Sequence, residues 1–313
     1  MSQIKTIAVI GTGVIGTGWI IRFLAHNKIV HAYDKDIKLK KNLIAEIKRT
    51  WPSVKKLFNK KKLNLKNFKY FTTIDEVLKD ADFIQECASE NYALKTKLMS
   101  AIGKYAKQSS IIASSSSGLL PTKIYSKCKY PERTMIGHPF NPVYLLPAVE
   151  IVPGKKTSKK YLNKAKKFYN SISMNPIMVK HELPGYLSDR LQEALWREGL
   201  HIINEGHATT EDLDRAIEDG PGLRWSLMGT FLTFHLAGGK AGMRHMLEQF
   251  GPALKLPWTK LKAPSLSNRL IDKLVKGTKK QSKGKSVTKI SNIRDEYLVE
   301  LQKLRKKYEK KLR

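Results

Sequence analysis

Short apolar runs recur through the first half of the chain, and stretches with a helical spacing of apolar residues separate them. The runs cover residues 6–10, 29–33, 82–85, 110–113 and 134–137. Each run is short, apolar and often β-branched, which is typical of a buried strand. Strands that alternate with helices favour a doubly wound, mostly parallel sheet. The pattern therefore predicts an α/β domain in this half of the chain.

A glycine-rich turn follows the first of these runs. Its residues are Gly11, Gly13, Val14, Ile15 and Gly16, in the spacing GxGxxG. The first glycine permits a tight turn, the second lets a pyrophosphate approach the backbone, and the third lets helix and strand pack closely. Asp34, after the second run, would accept hydrogen bonds from ribose hydroxyls and repel a 2′-phosphate. In this context the motif predicts a Rossmann domain that binds NAD, against the alternative of a structural turn and a surface acid.

The second half of the chain has a different pattern. Residues 186–204 are amphipathic with helical spacing, and residues 209–219 begin with residues that cap helices. A proline and a glycine within residues 182–185 mark a predicted hinge. We therefore predict a Rossmann domain over residues 1–182, followed by an all-α domain over residues 183–313.

Basic residues dominate the charged side chains. Lysine and arginine number 58 against 27 aspartate and glutamate, which gives a formal net charge of +31. Such an excess attracts nucleic acid, anionic lipid and coenzyme A. The lysines are spread along the chain, however, without the arginine and aromatic arrangements that read bases. We therefore expect a solvated lysine-rich surface and no nucleic-acid partner. One dense stretch, residues 37–69, is predicted to form a helical pair that projects from the sheet.

Cysteine content and hydropathy limit the environment. The chain has two cysteines, Cys87 and Cys128, which disfavours a disulfide framework, a structural zinc site and secretion. A strand-like run begins almost at once, so no signal peptide is expected before it. No apolar stretch is long enough to cross a bilayer. We expect a cytoplasmic protein with no membrane partner and no metal ion.

A histidine and a glutamate are the candidates for acid–base chemistry. His138 precedes a rigid loop in which two prolines flank Asn141. A histidine suits the removal of an alcohol proton near neutral pH, but it needs a partner that orients the ring. Glu150 lies in an otherwise apolar run, where an unpaired carboxylate would be costly. These residues alone leave a structural role for His138 open.

The chain resembles the 3-hydroxyacyl-CoA dehydrogenase superfamily along nearly its whole length. The matching segments are the glycine loop with Asp34, residues 89–95, 114–119 and 138–143, and Glu150. The resemblance implies that His138 is the base, that Glu150 is its partner and that Ser117 hydrogen-bonds the substrate hydroxyl. It also implies NAD as cofactor and a homodimer formed by the second domain. The residues it places near the cofactor are Glu90, Lys95 and Asn141.

The second half of the chain carries a narrower resemblance. Residues 222–231, 237–245, 249–252 and 257–260 are similar to the branch of this superfamily that oxidises L-carnitine at C3. Asp189 also stands where the acyl-CoA enzymes have an asparagine near the reacting oxygen. The resemblance implies L-carnitine, a small zwitterion, as substrate.

The side chains that such a zwitterion needs are present. A quaternary ammonium cannot donate a hydrogen bond and requires aromatic faces or a carboxylate, so Asp189 or Trp225 is predicted to face it. A substrate carboxylate is bound well by the two parallel hydrogen bonds of a guanidinium, and Arg224 is favoured over Arg244 for this role. Pairing of Asp189 with Arg190 is the alternative that would weaken this hypothesis.

Three other functions stay open at this point. A 3-hydroxyacyl-CoA dehydrogenase would use Lys55, Lys56 and residues 60–62 to hold the phosphates of the coenzyme. An L-gulonate 3-dehydrogenase would act on a similar free acid. A basic nucleic-acid-binding protein without catalysis would explain the charge, but not the retained serine, histidine and glutamate.

Overall fold

A computed structural model of the chain describes residues 4–60, 62–260, 262, 265, 267–281, 283 and 285–312. The chain divides into two compact units, Met1–Arg190 and Leu191–Arg313. The domain boundary predicted after residue 182 stays a prediction. Lys61, one of the lysines considered for coenzyme phosphates, lies outside the described residues.

The first unit is built around one sheet. Its strands are β1 (Thr6–Ile10), β2 (Ile29–Tyr33), β3 (Phe68–Phe71), β4 (Phe83–Glu86), β5 (Ile111–Ser114), β6 (Thr134–Pro139), β7 (Ala148–Pro153) and β8 (Asn175–Met178). They lie in the order β3-β2-β1-β4-β5-β6-β7-β8, and every neighbouring pair is parallel except β6 with β7. The predicted doubly wound, mostly parallel sheet is confirmed. Because the strand order reverses between β1 and β4, their carboxyl ends border the crevice in which such sheets bind ligands.

Helices pack on this sheet. They are α1 (Val14–Ala25), α2 (Leu39–Phe58), α3 (Ile74–Leu78), α4 (Tyr92–Tyr105), α5 (Pro121–Ile124) and α6 (Lys159–Ser171). Aromatic rings join α1, α6 and the sheet: the ring centroid of Phe168 in α6 lies 6.0 Å from that of Phe23 in α1 and 4.3 Å from that of Phe83 in β4. Residues of α3, α4 and α5 belong to a second buried cluster, which includes Ile84. Because Phe83 and Ile84 are consecutive on one strand, the two clusters lie on opposite faces of the sheet.

The lysine-rich stretch of residues 37–69 was predicted as a projecting helical pair, and this prediction is wrong. The stretch forms one helix, α2, which packs against α1, and it ends in the edge strand β3. The buried residues of α2 are Leu43, Ile47, Thr50, Trp51 and Val54. These positions recur every three or four residues and continue across Pro52, so a single helix buries them all. The lysines of α2 occupy its remaining faces and are exposed.

The second unit is helical. Helix α7 (Ser188–Glu205) begins in the first unit and continues into the second. The helices that follow are α8 (Thr210–Glu218), α9 (Pro221–Trp225), α10 (Thr230–Ala237), α11 (Gly242–Phe250), α12 (Asn268–Gln281) and α13 (Val287–Leu312). A capping box begins α8, in which Thr209 and Asp212 exchange hydrogen bonds. All regular structure described in this unit is helical, which confirms the predicted all-α region. Among the described residues, no helix combines the length and apolar character needed to cross a membrane.

Candidate active site

His138 and Glu150 form a buried pair at the centre of the candidate site. They face each other in register across the antiparallel strands β6 and β7. His138 Nδ1 lies 3.0 Å from Glu150 Oε2, and the two residues are 5% and 0% exposed. An ionised carboxylate only accepts hydrogen bonds, so Nδ1–H donates and the neutral ring carries its lone pair on Nε2. The partner that the sequence predicted for His138 is therefore present.

The second oxygen of Glu150 anchors the start of α7. Oε1 accepts hydrogen bonds of 3.0 Å from the backbone N–H groups of Leu187 and Ser188. Burial raises the pKa of the Glu150 carboxyl, but the hydrogen bonds from His138, Ser188 and Leu187 outweigh it, so this pKa lies below its usual value. Glu150 therefore stays ionised near neutral pH. It fixes both the ring of His138 and the first turn of α7.

Asp189, in that first turn, lies at the other nitrogen of the ring. Its Oδ2 is 3.7 Å from His138 Nε2, and its side chain is 31% exposed. The rings of Phe140 and Tyr186 lie with their centroids 5.5 and 5.7 Å from the imidazole. The imidazole is thus bounded by a carboxylate at each nitrogen and by two aromatic rings. Nothing in the sequence signals the contact of Asp189 with His138, because the two residues are far apart along the chain.

Ser117 lies in the loop that follows β5 and is exposed. Its backbone N–H and that of Gly118 donate to Glu90 Oε1, over 3.1 and 3.3 Å. The hydroxyl of Ser116 donates to the same oxygen. Glu90 therefore shapes the loop that presents the Ser117 side chain.

A buried ion pair between Lys95 and Glu86 is linked to this loop through Glu90. Lys95 is 1% exposed, and its Nζ lies 2.8 and 3.0 Å from the two carboxylate oxygens of Glu86. Glu86 also accepts hydrogen bonds from Ser114 Oγ and from the backbone N–H of Ala88. Lys95 Nζ lies 3.6 Å from Glu90 Oε2, which links the two glutamates. Glu86 is not among the residues predicted from the sequence, although a carboxylate in an apolar strand is the same signal that identifies Glu150.

The glycine loop between β1 and α1 has room for a dinucleotide. Gly11 has a φ of +98°, in the region that favours glycine. A Cβ on Gly16 would lie 1.9 Å from the carbonyl oxygen of Gly11, whereas a Cβ on Gly13 would meet nothing within 4 Å. Gly16 therefore serves close packing, and the space over Gly13 is left for a ligand. The first N–H groups of α1 have no partner within the helix, which suits a pyrophosphate.

Asp34 lies beside this loop, at the carboxyl end of β2. Its Oδ2 accepts hydrogen bonds from the backbone N–H and the hydroxyl of Thr12, over 3.0 and 2.9 Å. Its Oδ1 accepts from the backbone N–H of Lys35 over 2.8 Å. These bonds hold an oriented carboxylate next to the glycine loop, as a ribose diol requires. The residues of the loop and Asp34 together fit NAD.

The remaining predicted residues are spread over both units. Asn141 is exposed in the loop after β6. Arg224 and Trp225 belong to α9 in the second unit, where Trp225 is 40% exposed. Val14 and Ile15 are the first two residues of α1. In the part of the chain that the structure describes, no group of three or more His, Cys, Asp or Glu side chains could hold a metal ion.

Two family models match successive parts of the chain. The model of the 3-hydroxyacyl-CoA dehydrogenase NAD binding domain matches residues 6–182, and that of the C-terminal domain of these enzymes matches residues 185–286. An L-carnitine dehydrogenase from Oceanobacillus iheyensis is 50% identical over 95% of this chain and 97% of its own length. An L-carnitine dehydrogenase from Pseudomonas putida is 49% identical over 96% of this chain and 93% of its own.

Solved structures share the fold at lower identity. A 5-formyl-3-hydroxy-2-methylpyridine 4-carboxylic acid 5-dehydrogenase, described as an NAD+-dependent dismutase, has a TM-score of 0.80 at 21% identity and covers 97% of this chain and 99% of its own. An (S)-3-hydroxybutyryl-CoA dehydrogenase from Ralstonia eutropha has a TM-score of 0.63 at 24% identity, over 82% of this chain and 90% of its own. With the nearly full-length relatives, the chain belongs to the 3-hydroxyacyl-CoA dehydrogenase family and is an NAD-dependent dehydrogenase that acts on a CH–OH group.

Proposed function

We propose that this enzyme oxidises the 3-hydroxyl of L-carnitine to the ketone, giving 3-dehydrocarnitine and NADH. The observation that carries the proposal is a carboxylate, Asp189, 3.7 Å from His138 Nε2. A substrate that presents its hydroxyl to Nε2 would hold a group two bonds from C3 close to this carboxylate. L-carnitine has two such groups, the quaternary ammonium and the carboxylate, and of these the carboxylate of Asp189 attracts the ammonium. The nearly full-length relatives named L-carnitine dehydrogenase, at 45–50% identity, support the same substrate.

His138 would act as the base of the reaction. Its Nε2 accepts the proton of the 3-hydroxyl, and the ring becomes an imidazolium. Glu150, bonded to Nδ1–H, keeps the lone pair of the neutral ring on Nε2 and stabilises the cation that forms. The Ser117 hydroxyl would hydrogen-bond the substrate oxygen and hold it near Nε2.

The glycine loop and Asp34 would hold NAD, with Gly13 against the pyrophosphate and Asp34 on the adenosine ribose. When bound, NAD accepts the hydride that leaves C3. Glu90, Lys95 and Asn141 are the proposed neighbours of the cofactor. Since Lys95 is already paired with Glu86, its contribution would be to fix the wall of the site through Glu90.

Residues of the second unit would recognise the ends of the substrate. Arg224 is proposed to bind the carboxylate of L-carnitine, because a guanidinium can donate two parallel hydrogen bonds. Trp225 is the aromatic candidate for the ammonium, alongside Asp189. Both second-unit residues lie on α9, so one short helix would present them together.

A homodimer in the cytoplasm is part of the same proposal. The second unit exposes large apolar side chains, among them Phe231, Leu254 and Trp258 at 84%, 83% and 71%. Exposed apolar surface of this kind is typical of protein interfaces. The two cysteines are unpaired, which supports a reducing compartment.

The substrate proposal can be tested by NADH formation with purified protein. L-carnitine, D-carnitine, L-gulonate and 3-hydroxybutyryl-CoA would be assayed in parallel with NAD. We expect turnover with L-carnitine and little with the other three. Turnover with the acyl-CoA alone would leave NAD and His138 in place but refute the substrate. Turnover with none of the four, together with a salt-sensitive gel shift with nucleic acid, would favour a binding protein.

A further inference from the structure

His138 lies between two carboxylates, and only that of Glu150 has been given a role toward the ring itself. Glu150 binds Nδ1 at 3.0 Å, whereas Asp189 Oδ2 lies 3.7 Å from Nε2, the nitrogen that would take the proton. The same glutamate holds both features, because Glu150 Oε1 accepts the N–H groups of Leu187 and Ser188 immediately before Asp189. The position of Asp189 relative to the ring is therefore fixed by the backbone of α7.

The reaction creates a positive charge on the ring that this second carboxylate can stabilise. In the oxidation the hydroxyl O–H bond breaks, an N–H bond forms at Nε2, and the C3–H bond breaks as hydride leaves to NAD. His138 then carries a positive charge, which it gains at Nε2. Glu150 faces this charge from Nδ1, and Asp189 faces it from the nitrogen at which the proton arrives.

We propose that the carboxylate of Asp189, like that of Glu150, stabilises the imidazolium form of His138. On this proposal Asp189 has the same effect on the ring whatever the charge of the substrate. This inference rests on the proposed function in one respect, the role of His138 as the base. It differs from the binding of the ammonium by Asp189, because it predicts an effect on His138 itself. The titratable groups that face the ring are Glu150 from β7, Asp189 from α7 and Tyr186 before it, whose pKa is raised above its usual value by burial. The phenol of Tyr186 donates to the carbonyl of Leu119 and stays neutral, so within the described part of the chain the charged side chains in ion-pair contact with the ring are the two carboxylates.

The direct test follows the titration of the His138 ring by NMR of histidine-labelled enzyme in complex with NAD. Asp189→Asn removes the charge and keeps the shape of the side chain. We expect the midpoint of the ring titration to move to lower pH by about one unit or more, because one charge at about 4 Å contributes about 1 kcal/mol even at the dielectric constant of water. A His138→Gln variant assigns the resonance. An unchanged midpoint would overturn the proposal.

A matched control removes another carboxylate from the same helix. Glu193 lies one turn further along α7 and pairs with Arg197 at 3.0 Å. Glu193→Gln changes the net charge by the same amount, but we expect it to leave the midpoint where it is. An equal shift in both variants would show a general charge effect and would also overturn the proposal. Thermal melting of each variant verifies folding, and Asp189→Ser serves as a second variant if Asp189→Asn does not fold.

Kinetics separate the two possible roles of Asp189. The substrates are L-carnitine and 3-hydroxy-5,5-dimethylhexanoate, in which carbon replaces the ammonium nitrogen. If Asp189 acts through His138, the acidic limb of kcat/KM in Asp189→Asn moves to lower pH by the same amount with both. A loss confined to the KM of L-carnitine, with an unmoved ring titration, would mean that Asp189 only binds the ammonium. Absence of wild-type turnover with either compound would refute the substrate, while the ring titration would still decide the inference.

Discussion

The two units of the molecule differ in how their apolar residues are used. In the first, many large side chains of the sheet and its helices are fully buried, such as Trp19, Phe83 and Tyr186 at 0% exposure. In the second, large apolar side chains such as Phe231 and Leu254 stay above 80% exposed. The first unit therefore completes its own core, and the second has apolar faces that a partner surface could cover.

The same contrast applies to the chemistry. The buried pair of His138 and Glu150 and the glycine loop are set by strand register and backbone geometry inside one unit. The residues proposed for the ends of the substrate, Arg224 and Trp225, lie on a short helix of the other. In the proposed function, cofactor binding and proton transfer therefore belong to the first unit and most of the substrate recognition to the second. The following predictions test that division, in order of decreasing effect.

Loss of the base should have the largest effect. We expect His138→Gln to lower turnover by about 10²–10⁴-fold, because general base catalysis typically contributes this much. The affinity for NAD, measured by fluorescence titration, should change little, since the glycine loop is untouched. A variant that keeps more than a tenth of wild-type turnover would show that His138 is not the base.

Loss of its partner should reduce both activity and stability. In Glu150→Gln a buried hydrogen-bonded carboxylate becomes a neutral amide, and we expect a loss of about 1–3 kcal/mol in the free energy of unfolding at pH 7. The pKa of Glu150 is lower in the folded protein than its usual value, so its contribution is present at neutral pH and is lost as pH falls through the folded pKa. Urea unfolding at neutral and acidic pH measures this. A stability difference that grew towards acidic pH would contradict the pairing.

Substitutions at two glycines of the loop should distinguish a residue that serves packing from one that serves cofactor binding. Gly13→Ala places a methyl group in open space, so the protein should fold normally and lose about tenfold or more in affinity for NAD. Gly16→Ala places a methyl group against the Gly11 carbonyl and should instead lower the melting temperature. Fluorescence titration and thermal melting distinguish the two. Normal NAD affinity in Gly13→Ala would mean that the cofactor does not approach the backbone there.

The smallest effect on chemistry is expected from the apolar faces of the second unit. Leu254→Glu should shift a homodimer towards monomer in light scattering coupled to size exclusion. Ile37→Glu, which changes a 55% exposed residue of the first unit, is the matched control and should leave the molar mass unchanged. A wild-type protein that is monomeric at micromolar concentration would refute the dimer.

The sequence predicted those parts of the fold in which local pattern and packing agree. Strands β1 and β2 have the predicted bounds, and the capped start of α8 is as expected. Strand β3 was not predicted, because it is a short edge strand at the end of a lysine-rich stretch. The helical pair was wrong because the buried stripe of α2 continues across Pro52, which a local interpretation treats as an interruption.

Individual residues of the candidate site could be proposed from the sequence, but their arrangement in space could not. Glu150 was identifiable because a carboxylate in an apolar strand requires a partner. The contact of Asp189 with His138 depends on Glu150 holding the start of α7, which is a tertiary arrangement that no local pattern encodes. Glu86 was accessible to the same reasoning as Glu150, since it ends the buried strand β4.

Transfer of deuterium from C3 of the substrate tests the central claim most directly. L-carnitine with deuterium at C3 would be incubated with the wild-type enzyme and NAD, and the NADH would be analysed by mass spectrometry. If the site oxidises the 3-hydroxyl, the NADH carries one deuterium, and the His138→Gln variant forms little of it in the same time. NADH without deuterium, or no NADH from L-carnitine, would contradict the proposed reaction.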